Sequence, residues 1–318
     1  MHDSGHADTE DVVTSTGFEM SSRRRLVAPG KMRLIAIDFA PNLGRCPVNI
    51  RSGRTGMTGS ADQLLAFGDP LPFTTHNSNN RSPFVIVCDH AGRCLPRRLG
   101  TLGLSDADLQ RHIAWDIGAA AVASRFGDML GAIVISQTYS RLVIDCNRPL
   151  GSPTSIVEVS EQTRIPGNVR ITSADKDRRA QEIFEPYHRR ITQELDRRCT
   201  ASEPTVLIAM HSFTPRYLSV ERPWHIGLLY RHVVFARALI DLLRAEDLSV
   251  GDNEPYRVSD DTDYTLPIHG ERRHLPHVGI EIRQDLITEE LGQREWATRL
   301  AQWLPKAYQR LLSGETNA

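Results

Sequence analysis

The chain has 318 residues, of which 40% are hydrophobic and 24% are charged, and its formal net charge is -1 with a pI near 6.9. These values are typical of a soluble globular protein with room for one large α/β domain or two ordinary ones. They argue against nucleic acid or an anionic membrane as the main partner. No apolar run approaches the roughly 20 residues of a membrane-spanning helix.

The beginning of the chain, Met1 to Ser4, lacks the basic and then apolar pattern of a secretory signal, so we expect a cytoplasmic protein. The five cysteines contain no CxxC pair, and the sequence therefore does not predict a thiolate zinc site. No pattern in the sequence indicates an oligomeric state.

Residues 1–60 differ in composition from the rest of the chain. They are rich in Asp, Ser, Thr, Gly and Arg, and only Met32 to Ile37 looks like a strand. We predict a poorly ordered N-terminal extension with one edge strand at most, followed by a single α/β domain over residues 61–318. From about residue 80, short apolar runs alternate with longer helical patterns. This alternation predicts a mixed, mostly parallel sheet flanked by helices.

A helix is predicted to begin at Ser105, a good N-terminal cap, and to carry Leu109 and Ile113 on one face. His112 and Asp116 stand four residues apart at the margin of that face. At this spacing two side chains can share a metal ion or bond to each other. An ion pair on the helix surface is the alternative, and the pattern favours neither.

The remaining elements follow from the same patterns of apolar residues. We predict strands over residues 132–136, 142–145 and 226–230, a long loop over 147–172, a charged helix over 174–199 with a kink at Pro186, and helices over 233–243 and 289–313. His269, His274 and His277 cluster in a loop, and we expect at least two of them at the surface.

Polar side chains follow four of the apolar runs. They are Asp89 and His90 after residues 84–87, Asp145 to Arg148 after 142–144, His211 after 206–210, and Glu281 after 278–280. Because the carboxyl ends of parallel strands meet at one edge of a sheet, we expect these residues to line one pocket. Two histidines, a glutamate and several arginines are the ingredients of metal-assisted hydrolysis of an acidic substrate.

Individual residues of this set allow two interpretations each. His90 and His211, with nearby carboxylates, suit zinc, whose catalytic sites take three protein ligands and keep one position open; each alone could be a structural histidine. Glu281 alternates with Ile280 and Ile282 and so points to the opposite face, which makes it the best candidate for a general base. The alternative is a surface pair between Glu281 and Arg283.

Arg141, Asn147 and Arg148 bracket one predicted strand, and the planar fork of arginine suits an anionic substrate. The alternative is a structural pair between an arginine and Asp145. The sequence contains no GxSxG, no P-loop and no GxGxxG that opens a helix, so serine-nucleophile and nucleotide-dependent chemistry have no support.

Four segments together resemble the N-formylglutamate amidohydrolase family. They are DHAGRCLP at 89–96, YSRLVIDCNRP at 139–149, HSF at 211–213 and EIRQDL at 281–286, and SRxxIDxNRP is the most specific part. The similarity runs from about residue 80 to the C-terminus. The family looks related to zinc carboxypeptidases and succinylglutamate desuccinylases, which implies a mixed α/β sheet with helices on both faces and one zinc ion.

The resemblance implies a role for each matching residue. His90 and His211 would be zinc ligands and Glu281 the general base. The α-carboxylate of the substrate would bind to Asn147 and Arg148.

Further roles follow from the same resemblance. Arg141 would polarise the scissile carbonyl or bind a carboxylate, and Arg283 would hold the γ-carboxylate. Carboxypeptidases have a glutamate ligand three residues after the first histidine, where this chain has Arg93. For the third ligand we expect Asp116 first and His112 second.

The activity that the resemblance implies is metal-dependent hydrolysis of N-formyl-L-glutamate to formate and glutamate, a step of histidine degradation. The expected partner is a small acidic N-acyl amino acid. One alternative is the same zinc machinery acting on another N-acyl amino acid or peptide. The other is a non-catalytic relative that binds an acidic metabolite through its arginines.

Overall fold

The computed structural model describes residues 63–78, 82–231 and 233–314. The predicted N-terminal extension, with its edge strand, lies outside the described residues. The strands are β1 (Phe73–His76), β2 (Phe84–Cys88), β3 (Ile133–Gln137), β4 (Val159–Ser160), β5 (Thr163–Arg164), β6 (Val206–Phe213), β7 (Arg216–Tyr217), β8 (Val220–Glu221), β9 (Ile226–Leu229), β10 (Val250–Asp252) and β11 (His277–Arg283).

The α-helices of the same residues are α1 (Asp106–Leu109), α2 (Ala119–Leu130), α3 (Ser173–Arg179), α4 (Glu185–Thr200), α5 (Val233–Arg244) and α6 (Glu290–Ser313). None of these helices combines the length and the apolar composition that crossing a membrane requires. The predicted strand over 226–230 and the predicted helices over 233–243 and 289–313 are confirmed as β9, α5 and α6.

Within the described part of the chain, seven strands form one mixed sheet in the order β1-β3-β2-β6-β11-β9-β10. Strands β3, β2, β6 and β11 run parallel to one another. Strand β1 is antiparallel to β3, and β9 is antiparallel to β11. The prediction of a mixed, mostly parallel sheet is confirmed. Strands β4 and β5 form a short hairpin, as do β7 and β8.

Both faces of the central strands are buried, which explains why their sequences are almost continuously apolar. On β2, Ile86 packs in the core beneath α2, α5 and α6, whereas Val85 and Val87 pack in the core beneath α4. Helices therefore cover both faces of the sheet, as predicted. Each fully buried Val, Leu or Ile of this sheet stabilises the fold by roughly 1.5–3 kcal/mol.

The predicted long helix after residue 105 is wrong. Ser105 is the cap, since its side chain accepts a hydrogen bond from the Asp108 amide, but α1 ends at Leu109 and turns follow until α2 begins. His112 and Asp116 therefore do not lie one turn apart on a helix. The apolar spacing that suggested one helix joins Leu109, at the end of α1, to Ile113, which is buried in the turns that follow.

The predicted strand over 142–145 is also wrong. Its apolar residues are buried, but its backbone makes turn hydrogen bonds: Val143 donates to the Ser140 carbonyl, and Asp145 donates to the Ser155 carbonyl. A buried apolar run looks the same in sequence whether it is a strand or a turn. The preceding strand over 132–136 is confirmed as β3.

The charged helix predicted over 174–199 is present in two parts. A π-type turn, Ala180–Phe184, joins α3 to α4, and Pro186 stands in the first turn of α4. The irregularity predicted at Pro186 thus lies in the turn before it, because proline is tolerated where a helix begins. The loop predicted over 147–172 contains the β4–β5 hairpin.

The expectation that at least two of His269, His274 and His277 lie at the surface is wrong. His269 and His277 are buried, and His274 is exposed. The His269 ring contacts the His188 ring at 3.0 Å, and His277 Nδ1 lies 2.8 Å from a backbone carbonyl oxygen. A hydrogen bond to one ring nitrogen offsets part of the cost of burying a histidine.

Two glycines permit the close approaches that shape the site. Gly92 follows β2, and a Cβ there would lie 1.9 Å from the Thr138 carbonyl oxygen. Gly118 has a φ of +79°, and a Cβ there would lie 2.2 Å from the Ile287 carbonyl oxygen. Positive φ favours glycine because it has no Cβ. These contacts bring the segment after β2 close to the segment after β3, and the start of α2 close to the segment that follows β11.

Candidate active site

A cavity of about 530 Å³ opens where the central parallel strands end, on the face of the sheet that α4 covers. Its lining includes nine of the polar residues singled out in the sequence: His90, His112, Asp116, Arg141, Asp145, Asn147, Arg148, His211 and Glu281. The site thus lies at the carboxyl edge of a parallel sheet, where α/β proteins place their ligands.

Asp116 lies between the two histidines. Its Oδ2 is 2.9 Å from His211 Nδ1 and 3.3 Å from His90 Nδ1, and all three residues are buried. One nitrogen or oxygen from each lies within 4.8 Å of those of the other two. The Asp116 amide donates a 2.9 Å hydrogen bond to the His90 carbonyl, which holds this turn against the end of β2.

The second nitrogen of each imidazole faces another carboxylate. His90 Nε2 is 2.7 Å from Asp145 Oδ1, and His211 Nε2 is 3.3 Å from Asp89 Oδ2. A carboxylate beside Nε2 orients the ring, so that Nδ1 can donate a proton to Asp116 or, once that proton is lost, bind a metal ion. From these contacts we infer that both histidines present Nδ1 toward the Asp116 side of the site.

The outer carboxylates are themselves held in place. Asp89 Oδ1 accepts hydrogen bonds of 2.8 Å from the Tyr187 hydroxyl and of 2.8 Å from the Thr265 hydroxyl. Asp145 Oδ2 accepts hydrogen bonds from Arg141 Nε at 3.1 Å and from Nη2 at 2.7 Å. Each imidazole is therefore oriented by a carboxylate that cannot easily turn away.

Positive charge keeps the acids of this group ionised. Burial opposes ionisation of Asp116, but the charge of His90 and hydrogen bonds with both histidines hold its pKa well below its ordinary value. Burial likewise opposes ionisation of Asp89, yet His211 and His90 lower its pKa to about 2. Carboxylates that stay anionic at neutral pH are what a cation-binding group needs.

Glu281 lies on β11 directly beside His211 of β6. It is 6% exposed, and its Oε2 has no hydrogen-bond partner among the described residues. Burial raises the pKa of Glu281 to about 7, with His211 opposing this rise and Asp116 adding to it. A carboxyl that titrates near neutrality is suited to both general-base and general-acid roles.

On the other side of Glu281, the neighbouring strand β9 provides Gly227. A Cβ on Gly227 would lie 2.0 Å from the carbonyl oxygen of Glu254. The segment after β10 therefore packs directly against β9, and it places Tyr256 in the cavity wall.

The three residues Arg141, Asn147 and Arg148 all line the cavity, but their partners differ. Arg141 pairs with Asp145 and lies 3.3 Å from Asp116 through Nη1, so the structural pair left open in the sequence analysis is present. The Asn147 side chain accepts hydrogen bonds from two backbone amides of the 264–265 segment. Arg148 donates to backbone carbonyl oxygens, and no carboxylate pairs with it in the described part of the chain.

Three other residues discussed from the sequence take no part in the histidine and aspartate group. Arg283 binds Asp285 through two nitrogens and is not in the cavity lining. The His112 ring lies 2.9 Å from Glu161. Arg93 packs over the Trp115 ring, 5.1 Å from its centroid.

Other residues of the site gave no signal in the sequence. The hydroxyls that hold Asp89, from Tyr187 and Thr265, come from segments distant in the chain, and no spacing rule connects them. Asp89 is different, because it already belongs to the polar set predicted after residues 84–87, and its position beside His90 marks it as an orienting carboxylate. Arg222 lines the cavity after a hairpin of two-residue strands, too short to show a pattern.

A buried pair of histidines lies behind the site. His188 Nε2 is 2.8 Å from the Cys146 carbonyl oxygen, so it donates, and His188 Nδ1 accepts from His269 Nε2 at 3.0 Å. A proton added to His188 Nδ1 would face the His269 N–H. Both rings are therefore neutral, and burial lowers the pKa of His188 to about 4 and of His269 to about 3.

This pair is expected to make the fold acid-sensitive. Because both pKa values lie below that of a free histidine, the unfolded chain binds protons that the folded chain does not, and stability falls as the pH drops from 6.5 to 4. The loss is about 3 kcal/mol per histidine. In urea unfolding, His269→Gln, which keeps a donor toward His188, should show a shallower fall. The exposed His274→Gln is the control, and parallel curves for all three proteins would contradict the assignment.

A buried acid beside an imidazole and carboxylate group, at the carboxyl edge of a mixed α/β sheet, is an arrangement suited to hydrolysis. A family profile described as N-formylglutamate amidohydrolase matches residues 82–288. The chain belongs to this family, and it is a hydrolase acting on an amide.

Solved structures share this fold. The crystal structure of a gene product from Agrobacterium tumefaciens is 34% identical, with a TM-score of 0.76, over 78% of this chain and 99% of that one. An N-formylglutamate amidohydrolase from Ralstonia eutropha is 19% identical, with a TM-score of 0.58, over 76% of this chain and 98% of that one, and it shows the same fold. No curated protein sequence matches significantly.

Proposed function

We propose that this chain hydrolyses the formamide bond of N-formyl-L-glutamate to formate and glutamate in a metal-dependent reaction. The observation that carries the proposal is the position of Glu281. It is a buried carboxyl with an unpartnered oxygen, and it lines the same cavity as the His90, Asp116 and His211 group. Family membership supports the choice of a formyl amino acid as substrate.

The residues present fit a single divalent metal ion. Two imidazoles and one carboxylate, each with an outer partner, make a donor set that suits zinc and leaves a coordination position open. His90, Asp116 and His211 would hold the ion. When bound, zinc acidifies a water molecule and polarises a carbonyl oxygen.

Glu281 supplies the proton transfers in this proposal. It accepts a proton from the attacking water as the new C–O bond forms at the formyl carbon. It then donates that proton to the amide nitrogen as the C–N bond breaks, so formate and the free amine leave. A single carboxyl with a pKa of about 7 can serve in both directions at neutral pH.

Charged residues of the cavity would orient the substrate. Arg148 binds the α-carboxylate, and Asn147 holds the neighbouring segment in position through its backbone contacts. Arg141, fixed by Asp145, places positive charge beside Asp116 and stabilises the negative charge that develops on the carbonyl oxygen. Placement of the reaction in histidine degradation, and of the protein in the cytoplasm, stay predictions.

The test is metal analysis beside a formate-release assay on N-formyl-L-glutamate, before and after chelation. We expect about one zinc ion per chain, formate release that the chelator abolishes, and recovery on adding zinc back. Formate release that continues in the metal-free protein would contradict the metal dependence. A panel of N-formyl, N-acetyl and N-succinyl amino acids separates this substrate from the alternative of another N-acyl amino acid.

A further inference from the structure

Arg222 follows β8 and lines the cavity, and no sequence pattern predicts a role for it. The residue is only 9% exposed. No carboxylate pairs with it in the ranges 63–78, 82–231 and 233–314. The acid that precedes it, Glu221, pairs with Arg216 instead. A cation that is removed from water without a counter-charge is costly, so its partner is expected to be an anion that enters the cavity.

The surroundings of Arg222 leave one direction for such an anion. The rings of Tyr217 and Tyr256 cover the guanidinium, with centroids 4.8 Å and 4.9 Å from its central carbon. Nη1 donates to the Tyr256 hydroxyl at 2.9 Å and lies 3.5 Å from the Thr214 hydroxyl. Nε and Nη2 have no hydrogen-bond partner among the residues that the structure describes. Together they form an edge that matches a carboxylate through two parallel hydrogen bonds.

The cavity therefore has two separate cationic positions without carboxylate partners among the described residues. Arg148 donates a hydrogen bond to the Thr262 carbonyl oxygen, whereas Arg222 donates to the hydroxyls of Thr214 and Tyr256. A substrate with one carboxylate would leave one of the two arginines unpaired. A dicarboxylic substrate pairs both.

We propose that Arg222 binds the side-chain carboxylate of the substrate and sets the preference for an acidic amino acid. This inference rests on the proposed function, because it concerns the same cavity. It gives Arg222 the contact with the γ-carboxylate that the family resemblance implies for Arg283. Arg283 has Asp285 as its partner and lies outside the lining.

The test compares N-formyl-L-glutamate with N-formyl-L-glutamine, which has nearly the same shape and lacks the second charge. In the Arg222→Met variant, kcat/KM for the glutamate compound should fall roughly 10- to 100-fold, while that for the glutamine compound changes less than about two-fold. Arg222→Lys keeps the positive charge but loses the planar pair of N–H donors, so its kcat/KM for the glutamate compound should lie between those of the wild type and Arg222→Met. Arg216→Met, on the same hairpin and outside the lining, is the control and should match the wild type.

Equal losses on both substrates in Arg222→Met would overturn the proposal. Calorimetric binding of L-glutamate and L-glutamine to the zinc-loaded protein gives a readout that does not depend on turnover. We expect Arg222→Met to lose the preference for L-glutamate and Arg216→Met to keep it. If the wild type releases no formate from either compound, the proposed function fails. In that case the calorimetry still decides whether Arg222 selects a carboxylate.

Discussion

Replacing Glu281 with glutamine is expected to reduce kcat for formate release by roughly a hundred- to ten-thousand-fold. Glutamine has the shape of the protonated side chain but cannot accept a proton from water. The metal ligands are unchanged, so the zinc content should remain that of the wild type. A Glu281→Gln variant that keeps full activity would contradict the assignment of the base.

The same substitution should stabilise the metal-free fold. Since the folded pKa of Glu281 lies near 7, above the unfolded value, the wild type loses stability as the pH rises from 4.5 to 7, and glutamine does not. At pH 8 the variant should therefore be more stable by on the order of 1 kcal/mol or more in urea unfolding. Glu295→Gln, on the exposed side of α6, is the matched control for activity and for stability.

Replacing Asp116 with asparagine is expected to abolish zinc binding and formate release together. Asp116 supplies the one carboxylate of the group that lies between the two Nδ1 atoms. We expect its loss to weaken zinc binding by more than about 100-fold. Zinc titration with a competing chelator measures this affinity directly, and circular dichroism checks that the variant folds.

His112→Asn is the variant to compare with Asp116→Asn, because His112 was the second choice for the third metal ligand. In the structure the His112 ring faces Glu161, so we expect this variant to bind zinc and release formate as the wild type does. Loss of zinc in His112→Asn, with zinc kept in Asp116→Asn, would reverse the ligand assignment.

The sequence predicted the central sheet well because both faces of its strands are buried. Apolar runs at β2, β6 and β11 mark parallel strands, and alternation around Glu281 identifies the face on which its side chain lies. The alternation of side chains along β11 does not show which part of that face is exposed to solvent. Arg283 shares the face of Glu281 along the strand, but Asp285 two residues later pairs with it.

Asp116 was selected from the sequence by an argument that the structure does not support. The predicted helix would have carried it beside the strand ends, whereas a turn carries it there, held by the hydrogen bond to the His90 carbonyl. A helix and a turn both place the Asp116 carboxylate near the same strand end, and local sequence propensity cannot distinguish the two conformations. The contacts that complete the site, from Tyr187, Thr265 and Arg222, depend on tertiary packing alone.

The residues proposed for the reaction and those proposed to select the substrate lie on different parts of the fold. Glu281 and His211 stand on core strands, whereas Arg222 and Tyr256 stand on peripheral segments, and the segment of Tyr256 packs against β9 at Gly227. With this division, substitutions in the peripheral segments can change the substrate during evolution while the catalytic residues on the core strands stay the same. Exchange of the 214–222 segment between family members is therefore a direct route to enzymes that accept neutral formyl amino acids.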